Sequence, residues 1–171
     1  DYMHIGAALG AYCPMTALTF NMHTQTVLWT GVAADDLDMS DEDRAVHEAR
    51  RTELYRRIIE EKALQSQPLS EGIAQGATRG FATTAERVDG GYRVNGRKIF
   101  ASLSGAASDY NITCVETSED EILFLAIAAD DPGVEIVGDW DPLGMRGTVS
   151  RTLVFRDVFI PFSEQIGRAH V

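Results

Sequence analysis

The chain has 171 residues, 44% hydrophobic and 24% charged, with a formal charge of -11 at pH 7. That length can bury a sizeable core in one large or two small domains, and the composition excludes an intrinsically disordered chain. The acidic excess argues against a nucleic-acid or anionic-membrane surface, because phosphate binding draws on clustered Lys and Arg.

The first residues, DYMHIGAALGAY, already read as helix. A second helix is expected from Thr16 to about Val32, with Pro14 at its start and Leu18, Met22, Val27 and Leu28 on its buried face. The acidic stretch ADDLDMSDEDR breaks it, and Ser40 is placed to cap a third helix from Asp41 to about Lys62, with Asp and Glu in its first turn. Val46, Leu54, Tyr55, Ile58 and Ile59 recur there at helical spacing. Arg50, Arg51, Arg56 and Arg57 are expected to form a solvated face paired with Glu48, Glu53, Glu60 and Glu61.

After Ala63 the rhythm alternates. RVDGGYRVNGRKIFAS carries two turn signals, Asp89-Gly90-Gly91 and Asn95-Gly96, each flanked by β-formers. DYNITCVET, EILFLAIAA, GVEIVGDW and SRTLVFRDVFI then read as short strands. Helices followed by strands give an α+β chain with a boundary near residue 65, its second part expected to close as an antiparallel β-barrel or sandwich. The last six residues, IGRAHV, resemble what one reading frame of a sequencing adapter encodes, so 166–171 are expected to be a non-native tail.

Several function classes drop out. Cys13 and Cys114 form no CxxC or CxxH spacing, which disfavours a zinc site or disulfide framework and suits a reducing compartment. No apolar run reaches the roughly 18 residues of a membrane span, and no signal peptide opens the chain, so a cytoplasmic protein is expected. No G-x-G-x-x-G, P-loop or G-x-S-x-G motif is present. His4, His23, His47 and His170 are scattered and read as packed or surface residues, and no metal site is expected.

One order of motifs is more specific: CPMTALTFNMH at 13–23, LSEGIAQG at 69–76, TTAERVDGGYRVNGRKIFAS at 83–102 and WDPLGMRGTVSRTLVFRDVFIP at 140–161. It resembles the acyl-CoA dehydrogenase family. The resemblance implies that 1–64 are the end of an N-terminal helical domain and 65–165 the middle β-barrel domain, with a C-terminal helical bundle missing. It also implies an FAD-dependent oxidoreductase that desaturates an acyl-CoA thioester between its α and β carbons. An electron-transfer flavoprotein would take the electrons, and the full-length protein would be a homo-oligomer.

The family's flavin-facing loop, [ST]-E-P-x-x-G-S-D, falls on Ser70-Glu71-Gly72-Ile73-Ala74-Gln75-Gly76-Ala77. The resemblance places Leu69 and Ser70 beside the isoalloxazine, where a hydrogen bond near N5 tunes the flavin. Its second flavin-facing strand, W-x-[ST], falls on Phe100-Ala101-Ser102, with Phe100 covering the ring and Ser102 hydrogen-bonding to it. Gly72 replaces the Pro, and Gly76-Ala77 replaces the Ser-Asp that helps hold the pyrophosphate, a task left to the backbone amides of Gln75 and Gly76. The family's base is a Glu of the C-terminal domain, so none is assigned here; Glu71 belongs by position to the loop scaffold. Flavin-dependent monooxygenases of the same fold, which need no such Glu, are the alternative, as is an inactive fragment.

Overall fold

A computed structural model describes residues 2–32, 35, 38–72 and 80–169. Three helices come first: α1 (Tyr2–Tyr12), α2 (Pro14–Val32) and α3 (Asp41–Glu60). Ser40 caps α3 as its sequence predicts, its hydroxyl accepting the Asp43 N–H at 3.1 Å while Asp41, Glu42 and Asp43 fill the positive first turn. Among the described residues, no helix is long and apolar enough to cross a membrane.

Eight strands follow: β1 (Gln65–Ser66), β2 (Thr84–Val88), β3 (Gly91–Ala101), β4 (Asp109–Glu116), β5 (Glu121–Ala128), β6 (Val134–Val137), β7 (Arg151–Pro161) and β8 (Gln165–Ala169). They form one mixed sheet in the order β6-β7-β3-β2-β4-β5-β8. β1 and β2 each pair with β4 in parallel, and every other ladder is antiparallel. The sheet curls, because inward side chains of β3 and β7 (Tyr92, Val94, Leu153, Phe155) meet those of β4 and β5 (Ile112, Leu125) in one buried cluster. Alternation along β5 turns Leu123, Leu125 and Ile127 into that core, while β4 is buried along its whole length. Cys114 lies in that core, where burial pushes its thiol up to about 12. β8 was not foreseen and pairs with β5.

Three local expectations need correction. Asp89-Gly90 makes the β2–β3 hairpin, but Asn95-Gly96 makes no turn: it sits inside β3 at a register shift against β7. The Asn95 side chain accepts the Asp157 N–H at 2.9 Å and donates to the Asp157 carboxylate at 3.1 Å, clasping the strands through the bulge. Only glycine fits at 96, since a Cβ would stand 2.7 Å from the Thr83 Cα.

Secondly, α2 does not bury Leu18 and Leu28, which are exposed; its buried residues are Ala17, Thr26 and Gly31. Small residues let neighbours come close, and a Cβ on Gly31 would collide with the Tyr55 ring of α3. Thirdly, Arg51, Arg56 and Arg57 pair with glutamates as expected, but Arg57 also reaches the sheet region, as does Arg50. Arg50 donates to the carbonyls of Phe162 and Ser163 at 3.2 and 3.1 Å, and Arg57 to the Asp109 carboxylate at 2.9 Å.

Candidate functional site

Three pieces of chain converge where β3 ends: the segment from Gln67 to Gly72, the end of β3 with the turn after it, and the loop between β6 and β7. The first two are joined by the Ile99 N–H, which donates to the Ser70 carbonyl at 2.7 Å. Leu69 and Ser70 therefore lie alongside Ile99 and Phe100, as the motif alignment implies. Leu69 and Ser70 are exposed, and among the described residues neither the Ser70 N–H nor its hydroxyl has a partner.

Phe100 sits at a second register shift between β3 and β7, with φ of 55°, and is 57% exposed. A left-handed backbone at an aromatic residue is costly, and the bulge re-aims the side chain outward. Its ring meets Trp140 edge to face at a centroid distance of 5.9 Å, and the indole N–H is held by the Met145 carbonyl at 3.1 Å. The result is an exposed Phe100 ring backed by a half-buried Trp140 on a fixed frame.

Ser102 is 6% exposed. Its hydroxyl lies 2.8 Å from that of Ser150, which lies 2.7 Å from that of Thr148. Thr148 in turn donates to the Met145 carbonyl at 2.9 Å, and the Ser66 hydroxyl donates to the Ser102 carbonyl at 2.6 Å. On the same side, Asn111 donates to Gln65 at 2.8 Å and Gln65 to Asp109 at 2.6 Å. Buried polar groups are tolerated because each finds a partner, and here they form a seam from α3 to the Phe100 bulge.

Beneath the loop lies a charged pair that the sequence reading did not single out. Lys98 is fully buried and donates to the Glu71 carboxylate, which also accepts the N–H groups of Ala82 and Thr83. Burial alone would raise the Glu71 carboxyl, but bonds from Lys98, Thr83 and Ala82 hold it below the ordinary carboxylate value. Burial also draws the Lys98 ammonium below the usual lysine value, against the pull of Glu71. The signal was present in the sequence: Lys98 shares strand parity with Tyr92 and Val94, the buried side of β3.

Of the predicted residues, Leu69, Ser70, Phe100 and Ser102 are thus brought together, whereas Gln75 and Gly76 lie outside the described residues. A cavity of about 700 Å³ lies elsewhere, between α3 and the sheet. None of these four residues lines it, and Arg50, Arg57, Gln65 and Asp109 in its wall are committed to one another or to backbone. Unlike that gap, this end of the sheet presents exposed Leu69 and Phe100 together with Ser70 donors that have no partner among the described residues.

The acyl-CoA dehydrogenase middle-domain model matches residues 69–158, just over half of the 171 residues. Amino sugar nitrososynthase DnmZ of Streptomyces peucetius is 32% identical over 120 residues, which are 63% of this chain and 30% of that protein. The putative acyl-CoA dehydrogenase YdbM of Bacillus subtilis is 34% identical over 105 residues, 60% of this chain and 27% of YdbM. TdsC of Paenibacillus sp. A11-2, a dibenzothiophene monooxygenase solved with FMN and indole, superposes with a TM-score of 0.73 at 27% identity. That superposition covers 95% of this chain and 38% of TdsC. The chain therefore spans about a third of the length of the proteins it resembles.

Proposed function

Because the chain belongs to the acyl-CoA dehydrogenase family, we propose that it supplies the flavin-ring face of a flavin-dependent oxidoreductase. The observation that carries this is the meeting of Leu69-Ser70 with the exposed Phe100, backed by Trp140, at one end of the sheet. A bound flavin supplies reversible two-electron chemistry at its ring. In this reading Phe100 and Leu69 cover the ring and exclude water, and Ser70 offers its N–H and hydroxyl to the ring edge. The backbone amides of Gln75 and Gly76 are assigned to the phosphate end.

Two chemistries share such a face. Dehydrogenation of an acyl-CoA with FAD is supported by the family motifs and by the 34% identity to YdbM. Oxygen insertion with FMN is supported by the likeness to TdsC along nearly the whole chain, and by Gly76-Ala77 standing where the dehydrogenase motif has Ser-Asp. The second is the better supported, since it accounts for the departures from the dehydrogenase motif. Neither chemistry draws a proton-abstracting base from this chain.

The experiment uses the protein encoded by the intact gene, purified with FAD and separately with FMN. Uptake of oxygen by the reduced holoprotein, coupled to hydroxylation of an amine or aromatic heterocycle, is the expected result. Anaerobic bleaching of the flavin by acyl-CoA, without oxygen-coupled turnover, would establish the dehydrogenase instead. Ser70→Ala is expected to shift the flavin spectrum or weaken flavin retention; no change in either would remove Ser70 from the ring.

A further inference from the structure

A lysine with no exposed surface is rare, because an ammonium pays a large desolvation penalty unless it is paired and fully hydrogen-bonded. The Lys98 Nζ has partners on both limbs of the segment between β1 and β2. On the incoming limb are the Glu71 carboxylate and the Leu69 carbonyl at 3.5 Å; on the outgoing limb the Phe81 ring centroid lies 4.9 Å away. Thr113 of β4 lies below at 3.4 Å. Glu71 closes the same gap from the other side, taking the Ala82 N–H and, at 3.3 Å, that of Thr83. The next residue of β3, Ile99, donates to the Ser70 carbonyl.

From this geometry we infer that Glu71 and Lys98 are positioning residues: together they brace the neck of the loop, presetting the Leu69-Ser70 backbone against Phe100 before a ligand arrives. This rests on the flavin reading above for what the preset surface receives. An ion pair that served stability alone would hold the barrel without setting this alignment. The pair instead ties two limbs to one strand, at the residue before the Ile99–Ser70 bond and two before the Phe100 bulge. Pre-organisation of this kind raises affinity by removing the cost of ordering the Leu69-Ser70 backbone on binding.

The test compares the parent with the uncharged double variant Lys98→Met, Glu71→Leu, and with Glu71→Gln, which keeps bulk and an acceptor for Ala82. Three quantities are read: the thermal midpoint, amide exchange at Ile99 and Ala82 against exchange in β4, and flavin affinity by fluorescence titration. In the double variant the β4 amides should stay protected while Ile99 and Ala82 exchange at least about ten-fold faster. Flavin affinity should fall by a similar factor, with Glu71→Gln intermediate in both. Unchanged exchange at Ile99 and Ala82, or a uniform rise that includes β4, would overturn the brace. Flavin affinity equal to the parent's, despite faster exchange at the neck, would overturn its positioning role. If the parent takes up neither flavin, the flavin reading falls, and the exchange data alone decide whether the neck is braced.

Discussion

Every residue of β4 from Asp109 to Glu116 is buried, whereas not one of the twenty residues of α3 is. The strand lies between β2 and β5 and carries apolar side chains inward and a hydrogen-bonded polar row outward. The helix touches the sheet region through single long side chains, Arg57 to Asp109 and Arg50 to two carbonyls. α2 is held in a similar way, its His23 Nδ1 accepting the Gln65 N–H at 3.0 Å and its Met15 sulfur lying 3.0 Å from the Gly147 nitrogen. Stability in the sheet is thus spread over an apolar cluster, while the helices depend on a few points of attachment. Such a division predicts separate opening of the two regions, the helices at lower free energy.

The largest test of that contrast is Phe155→Ala, at a ring 2% exposed in the core cluster. It should cost about 3–5 kcal/mol in chemical denaturation through lost burial and a residual cavity, whereas Ile59→Ala on the exposed side of α3 should cost almost nothing. Comparable losses at the two sites would mean that the helices carry as much of the fold as the sheet. Next in size is Asp109→Ala, which leaves Arg57 and Gln65 without their shared acceptor and should cost about 1–3 kcal/mol. Amide exchange should rise in α3 and β1 and not in β5; a rise across the whole sheet would dissolve the distinction.

A smaller effect follows acidification. Burial holds the His23 imidazole below its ordinary value of 6.5, and its neutral Nδ1 is the acceptor for Gln65. A group with a lowered folded pKa contributes stability that is present above the unfolded value and is lost as pH falls through the folded one. Lowering the pH from 7 toward about 5 should therefore speed exchange at the Gln65 amide before the β4 amides respond. The smallest effect is expected from Arg56→Ala. Its glutamate partners Glu53, Glu60 and Glu61 are all solvent-facing, so the denaturation midpoint should stay where it is.

Much of this contrast was legible in the sequence. The strands were readable because alternation and Gly-containing turns are local signals, and Ser40 announced α3 for the same reason. Asn95-Gly96 misled because the same dipeptide serves a hairpin turn or a bulge, and the choice is made by Asp157, 62 positions away on β7. The faces of α2 misled because hydrophobicity marks burial only where large side chains make the contact; here Ala17 and Gly31 make it. At the site, motif order brought Leu69, Ser70, Phe100 and Ser102 to one place, but the partnership of Glu71 with Lys98 depends on a strand crossing that no local pattern encodes. Trp140 packs edge to face against Phe100, a pairing across 40 positions.

The row of hydroxyls behind the Phe100 bulge also has a direction. A carbonyl can only accept, so the Thr148 proton is spent on Met145. Ser150 must then donate to Thr148, and Ser102 must donate to Ser150. Each hydroxyl has a single proton, and the sequence of donations runs one way to the end of the row. The Ser102 oxygen is left with lone pairs alone: toward anything that reaches it, this serine is a Lewis base, and its polarity is dictated by the Met145 carbonyl two hydroxyls further along.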